Sequence, residues 1–273
     1  MEDKEKNQMS RREMVSKAGL AGVAALGFGA LNAQAQQPTG QNPPGDSSPG
    51  ASRLNANGLS SAFYEKITPQ NAAVLLIDYQ TQLLLGCQSM DQKKLVNNTV
   101  ALARVAKMFN LPVVLTTTGG AEKGPAGPTL PALTAEFPNV KAIDRQLFFN
   151  SMQDPQFVDA VRKTGRKKLI MGGITTDLCV VFPAVTAVGM GYDVYVVGDA
   201  CASWDKQIDD LAMMRIAQAG AIPINVQSLV AEMQSNLVEI DPAAAKNNQP
   251  NLLKFYGEFV GVTGLMNNSF FKK

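Results

Sequence analysis

The chain has 273 residues, 45% of them hydrophobic, and a formal net charge of +2. No long basic block accompanies that charge, which argues against a surface built to neutralise phosphates and favours small-molecule chemistry. There is no histidine, and this excludes Ser-His-Asp and Cys-His catalysis, histidine zinc sites and imidazole proton shuttles. A catalyst in this chain must use carboxylate, Lys, Arg, Tyr, Ser or Cys. The cysteines Cys87, Cys179 and Cys201 are far apart, without C-x-x-C spacing for a metal or redox pair, and at least one must stay unpaired.

Arg11-Arg12 precedes a small-residue apolar run from Ala18 to Leu31, and Ala33-Gln34-Ala35 offers an A-x-A cleavage site. The segment 1–35 resembles a twin-arginine export signal, with a cut expected after Ala35. The run is about 14 residues, where a membrane span needs roughly 20. Engagement of the twin-arginine export machinery implies a periplasmic or secreted mature protein. Residues 36–59 are rich in Gln, Pro, Gly, Ser and Asn and read as a disordered linker. The folded domain is expected over 60–240, followed by an extension over 241–273.

Ala72 to Asp78 is a continuous apolar run closed by an acid, which suits a parallel strand buried on both faces. A short helical turn follows from Tyr79 to Leu85, and Asp91 to Phe109 reads as an amphipathic helix with Leu95, Leu102 and Val105 on its apolar stripe. Leu111 to Thr117 is the second strand. The loop from Thr118 to Pro128 holds four glycines and two prolines and reads either as a lid or as a plain surface excursion. Val140 to Arg145 is a poorly patterned third strand. Asp154 caps a helix over Pro155–Thr164, with proline at its first position.

Lys168 to Gly172 is the fourth strand, and Gly172-Gly173-Ile174-Thr175-Thr176 leads to a helix beginning near Asp177. Cys179 then falls in the first helical turn, where free amides and the macrodipole favour a thiolate. The plain alternative is a small core residue. Pro183 lies inside this helix and removes the amide that should bond the Cys179 carbonyl, so a kink or distorted first turn is expected. Further strands at 192–197 and 221–226 alternate with helices at 206–219 and 227–237. This alternation predicts one doubly wound α/β domain, a mostly parallel six-stranded sheet with helices on both faces. In the order 3-2-1-4-5-6, Asp78 and Cys179 end neighbouring strands at the switch point where ligands bind. Leu252, Phe255, Phe259 and Phe270 make the terminal extension apolar, suited to packing on a second subunit or on the domain's own surface.

Three segments together, Val74-Leu-Leu-Ile-Asp78 with Gln80, Gly173-Ile-Thr-Thr-Asp-Leu-Cys179-Val180, and Gly191-Tyr192 with Gly198-Asp199-Ala200, resemble the isochorismatase-like cysteine hydrolase superfamily. The resemblance covers about 65–235 and lies nearest to its small, oligomeric bacterial hydrolases of uncertain substrate. It implies a nucleophile at Cys179 and a base at Asp78, with Arg145 where the family carries a lysine and Lys141 as a rival cation. It further implies a cis peptide at Ile174-Thr175 and an oxyanion hole from the Thr175 and Cys179 amides. The implied function is hydrolysis of a small amide or related C–N bond through an acyl-enzyme, in a homo-oligomer such as a tetramer or octamer. A catalytically silent binding or assembly protein on the same scaffold is the alternative. The histidines with which nicotinamidases hold metal are missing, so no metal or other cofactor is expected. Phe149, Asn150 and Gln80 are candidate substrate contacts, although core packing suits Phe148 and Phe149 better. Trp204 suits a pocket mouth or an interface, and Cys87 and Cys201 read as unreactive small residues.

Overall fold

The computed structural model describes residues 61–121, 123–145, 148–234 and 254–261. All of them lie within Ser47–Lys273, one of the two units into which the chain divides. The export signal, its cleavage site and the linker fall outside the described residues. Among the described residues, no helix is long and apolar enough to cross a membrane.

Six parallel strands form one sheet in the order β3-β2-β1-β4-β5-β6. They are β1 (Ala72–Ile77), β2 (Val113–Thr118), β3 (Ile143–Arg145), β4 (Lys168–Gly173), β5 (Asp193–Val197) and β6 (Ile222–Ile224). β1, β4 and β5 are buried along their whole length, as continuous apolar runs between two helical layers require. The helices are α1 (Thr81–Gly86), α2 (Gln92–Met108), α3 (Pro131–Glu136), α4 (Pro155–Lys163), α5 (Val181–Gly189), α6 (Lys206–Gln218) and α7 (Val226–Gln234). α2, α3 and α7 cover one face through Leu95, Leu102, Leu133 and Leu229. α4, α5 and α6 cover the other through Phe157, Val161, Ala184 and Ile216.

Local chemistry sets the element ends. Asp91 caps α2 by accepting from the Lys94 amide, and Asp154 caps α4 by accepting from the Gln156 and Phe157 amides, with Pro155 at the first position. The helix α3 carries no periodic signal long enough to be read from sequence. β3 is only three residues long, shorter than the expected strand.

The strand-to-helix passage after β4 differs from the regular helix expected there. Thr176–Val180 forms a π turn, and the α-helix proper begins at Val181. Pro183 therefore falls in the first turn of α5, where a missing amide costs least. The conflict visible in the sequence resolves as a wider turn that carries Cys179.

β1 and β4 pair closely at their ends, with Ile77 opposite Gly173. A Cβ on Gly173 would stand 2.5 Å from the Ile77 carbonyl oxygen and 2.8 Å from the Ile77 Cβ, both fixed parts of the central strand. Gly173→Ala is expected to destabilise the fold by about 1–3 kcal/mol or more through overpacking, checked by urea unfolding.

At the opposite end of the sheet, Lys168 and Asp193 form a fully buried pair, Nζ to Oδ2 3.1 Å. The Ser61 hydroxyl donates to the same carboxylate at 2.6 Å, which fastens the entering chain to the floor of the sheet. In the extension, helix 254–259 packs on its own domain: Phe255 is 4% exposed within the α2-side core, and Glu258 lies 3.8 Å from Arg104. For these residues the domain's own surface is a partner. The rest of the extension is outside the described residues.

Candidate active site

Asp78, Arg145 and Cys179 converge at the carboxyl ends of β1, β3 and β4. Strict alternation would place Asp78 on the same face as Val74 and Leu76. Its backbone is left-handed instead, φ 52, a conformation that Asp tolerates better than most residues. The turn is held by the Asp78 amide donating to the Thr116 carbonyl at 3.1 Å and the Gln80 amide donating to the Asp78 carbonyl at 2.7 Å. It delivers the carboxylate to the α5 face, where Arg145 Nη2 donates to Oδ2.

Arg145 starts two strands away from Asp78, roughly 10 Å across the sheet, so only a long side chain can bridge the gap. On the way its Nε donates to Thr116 Oγ1 on the intervening strand at 2.9 Å. Its Nη1 donates to the carbonyl oxygens of Phe148 and Phe149, the latter at 3.1 Å. The guanidinium is fully buried and spent on these protein groups. It therefore serves as a clamp between the base and the loop after β3. Lys141 is exposed, outside β3 and beside Asp144 on the other face of the sheet, so the cationic partner is Arg145.

Cys179 is 6% exposed and faces the Asp78 carboxylate. Burial pushes its thiol up to about 12 and the nearby Asp78 charge adds to this, while Arg145 and the Thr175 amide pull it down. Desolvation and a neighbouring anion thus oppose the thiolate that a helix start favours. Burial likewise raises Asp78 above its ordinary 3.8, with Arg145 opposing. Oδ1 of Asp78 is buried without a hydrogen-bond partner, which leaves an acceptor free for a proton. Burial raises Cys87 and Cys201 as well. What separates Cys179 from them is the Asp78 carboxylate it faces and the Arg145 charge beside it.

The Ile174-Thr175 peptide is cis. The Thr175 amide lies against the Cys179 sulfur, the place from which an oxyanion donor would act. Thr176 donates its hydroxyl to Asp209 on α6, and Ser203 donates to Asp177 at 2.9 Å, so the π turn is tied down on its outer side.

The other expected contacts divide. Gln80 is fully buried: Nε2 donates to the carbonyls of Thr118 at 3.1 Å and Gly127 at 2.6 Å, and Oε1 accepts from the Thr118 amide at 2.8 Å. This corrects the substrate-contact reading, since the side chain staples the loop between β2 and α3. Gln80→Leu should leave these backbone groups unpaired and cost about 2–4 kcal/mol, read as a lower midpoint in urea unfolding. Asn150 is also committed, with Nδ2 donating to Thr186 at 2.9 Å and Oδ1 accepting from the Met152 amide at 3.0 Å. Phe148 and Phe149 are 40% and 66% exposed and wall a cleft of about 440 Å³ with Phe182 and Arg215, so neither packs in the core. Trp204 covers Gly86, where a Cβ would meet its ring at 2.5 Å, and remains 39% exposed. Among the described residues, no group of three His, Cys, Asp or Glu could hold a metal ion.

Thr116 and Asp209 were missed from the sequence. Alternation along Val113–Thr118 places Thr116 on the face that Arg145 crosses, a usable signal. Nothing in the sequence pairs Asp209 with Thr176.

Residues 72–228 match the isochorismatase domain. The probable hydrolase YcaC of Escherichia coli is 42% identical over 158 residues, 58% of this chain and 75% of that protein. The crystal structure of the E. coli YcaC gene product, described as an octameric hydrolase of unknown specificity, superposes with a TM-score of 0.70. It is 35% identical and covers 76% of this chain and 97% of its own. YcaC from Pseudomonas aeruginosa, solved with hexane-2,5-diol and covalent acrylamide, gives a TM-score of 0.69 at 34% identity, covering 77% and 98%. With a six-stranded parallel sheet in the matching order and the family domain spanning more than half its length, this chain belongs to the isochorismatase family.

Proposed function

We propose that the protein is a cysteine hydrolase that cleaves a small amide or related C–N bond through an acyl-enzyme on Cys179. The observation that carries the reading is the buried approach of the Cys179 thiol to the Asp78 carboxylate, one oxygen of which is held by Arg145. A carboxylate raised by burial is a stronger base than an ordinary one, and Asp78 takes the thiol proton as sulfur attacks the carbonyl carbon. The oxyanion forms against the Thr175 and Cys179 amides, each donor of this kind being worth about 2.7–4 kcal/mol to a transition state. Collapse breaks the C–N bond, and the amine leaves with the proton held by Asp78. Water then loses a proton to Asp78 and attacks the thioester, releasing the acid and restoring the thiol. Arg145 keeps the carboxylate in place and moves no proton.

The covalent acrylamide in the P. aeruginosa relative supports a reactive nucleophile in this family. The octameric E. coli relative supports a homo-oligomer here. The second reading, a silent scaffold, is favoured by the near-complete burial of Cys179 and its raised thiol pKa. Acrylamide labelling followed against pH separates the two. A thiol served by Asp78 labels steadily from pH 6 to 9, whereas an inert one labels about tenfold faster per pH unit, as an ordinary thiol ionises.

Export through the twin-arginine route belongs to the same proposal and rests on Arg11-Arg12 and the run that follows. Arg11→Lys with Arg12→Lys should hold the protein in the cytoplasm when cells are fractionated. A variant still recovered outside would refute that address.

A further inference from the structure

The Thr175 amide, which lies against the Cys179 sulfur, belongs to the short irregular passage between β4 and α5. Backbone bonds hold this passage from within. The Thr175 carbonyl accepts from the Leu178 and Val180 amides at 3.3 and 3.1 Å, and the Thr176 amide donates to the Ala202 carbonyl at 3.1 Å. From the outer side it is held by a side chain. Thr176 is fully buried and donates its hydroxyl to the Asp209 carboxylate, 33 positions away on α6. Asp209 is 9% exposed, whereas the adjacent Asp210 is 56% exposed and pairs with Lys206. Of two neighbouring acids, one is turned inward onto the π turn. The Ser203 hydroxyl, which donates to Asp177 at 2.9 Å, lies against Asp209 as well. The first turn of α6 is fixed in its own right by Asp205, which accepts from the Gln207 and Ile208 amides, so Asp209 projects from a capped helix.

We propose that Asp209 is a positioning residue for acyl transfer: through the Thr176 hydroxyl it sets where the Thr175 amide meets the oxyanion. This rests on the cysteine hydrolase reading and adds to it a residue that does not touch the reacting atoms. An oxyanion donor acts over a narrow range of distance, and a misplacement of about 1 Å can cost about 10²-fold in rate. Thr176 is one residue from that donor, and its hydroxyl is the handle by which α6 holds the peptide. With alanine at position 209 the buried hydroxyl loses its acceptor and turns to another, carrying the Thr175–Thr176 peptide with it. The charges that act on the Cys179 thiol, Asp78 and Arg145, stay where they are. The loss therefore falls on the oxyanion hole and spares the nucleophile.

Two reagents separate these effects in the full chain. With p-nitrophenyl acetate, sulfur attacks the carbonyl carbon, its proton passes to Asp78, and the carbonyl electron pair moves onto oxygen. Collapse then expels p-nitrophenolate and leaves a thioester. With iodoacetamide, sulfur displaces iodide at a saturated carbon, the proton again passes to Asp78, and no oxyanion arises. Asp209→Ala should slow p-nitrophenolate release, measured above a Cys179→Ala background, by about 10–10²-fold, and leave alkylation of Cys179 within about threefold. Asp209→Asn keeps an acceptor for the hydroxyl and should recover most of the rate, as should Thr176→Ser, which keeps the donor. Thr176→Val is close to threonine in shape, removes the donor, and should show the same selective loss even where Asp209→Ala does not fold. The double variant of Asp209→Ala with Thr176→Val should lose no more than either change alone. Folded variants that release p-nitrophenolate at the wild-type rate, that lose both reactions alike, or whose losses add would overturn the positioning role. Cys179→Ala tests the hydrolase reading separately, since release as fast as in the wild type would refute the nucleophile itself.

Discussion

Cys179→Ala is expected to abolish both turnover of an amide substrate and covalent labelling by acrylamide, while circular dichroism and the assembled mass stay as in the wild type. The side chain is small and its loss removes only a sulfur atom from a region otherwise held by backbone bonds, Thr176 to Ala202 and Val180 to Thr175. The catalytic loss is of another size. Removing a nucleophile on which the whole sequence of steps depends costs about 10⁵–10⁶ in kcat, the scale seen when one member of a concerted catalytic unit is deleted. Cys179→Ser should fare little better, because a hydroxyl gives up its proton less readily than a thiol. Labelling that persists on Cys87 or Cys201 with turnover intact would assign the chemistry elsewhere. Both of those thiols are buried, and neither adjoins a base held by a cation.

Asp78→Asn separates the two halves of the reaction. Asparagine keeps an oxygen to accept from Arg145 Nη2, so the clamp on Thr116 and the Phe148 and Phe149 carbonyls retains its geometry. The buried guanidinium nevertheless loses its counter-charge, and breaking such a pair costs about 3–5 kcal/mol, seen as a lower melting temperature. Cys179 loses the neighbouring anion that raises its thiol, and keeps the Arg145 charge that lowers it. Its pKa should therefore fall below about 12, and acrylamide labelling should survive but follow a thiol titration. Turnover should drop by about 10²–10⁴, because no base remains to activate water against the thioester. In the wild type the acid limb of kcat/KM should sit above the ordinary carboxylate value of 3.8, since burial raises Asp78 and the protonated carboxyl cannot take the thiol proton. A pH–rate profile of both forms checks these signs.

The sheet order, the strands at Asp78 and Cys179 and the cis peptide were legible because each leaves a local mark. Those marks are apolar runs ended by an acid, a glycine pair, and the family pattern around Cys179. Pro183 announced a distorted turn without revealing its form, since a π turn and a kink both relieve a missing amide. The state of the thiol was not legible. It depends on desolvation and on the distance to Asp78, and both arise only when β1 and β4, distant in sequence, pair. Gln80 and Asn150 misled for a related reason. A polar side chain near a site reads the same in sequence whether it meets substrate or satisfies buried backbone. Arg145 carried an ambiguous signal, and only its side-chain bonds show that it spans to Asp78 over Thr116.

The most direct test of an acyl-enzyme on Cys179 is intact mass followed in time after mixing the purified protein with a library of small amides, with peptide mapping of any adduct. An acyl group should appear on Cys179 and decay in the wild type, and persist in Asp78→Asn. No adduct under turnover, or an adduct mapped to Cys87 or Cys201, would contradict it.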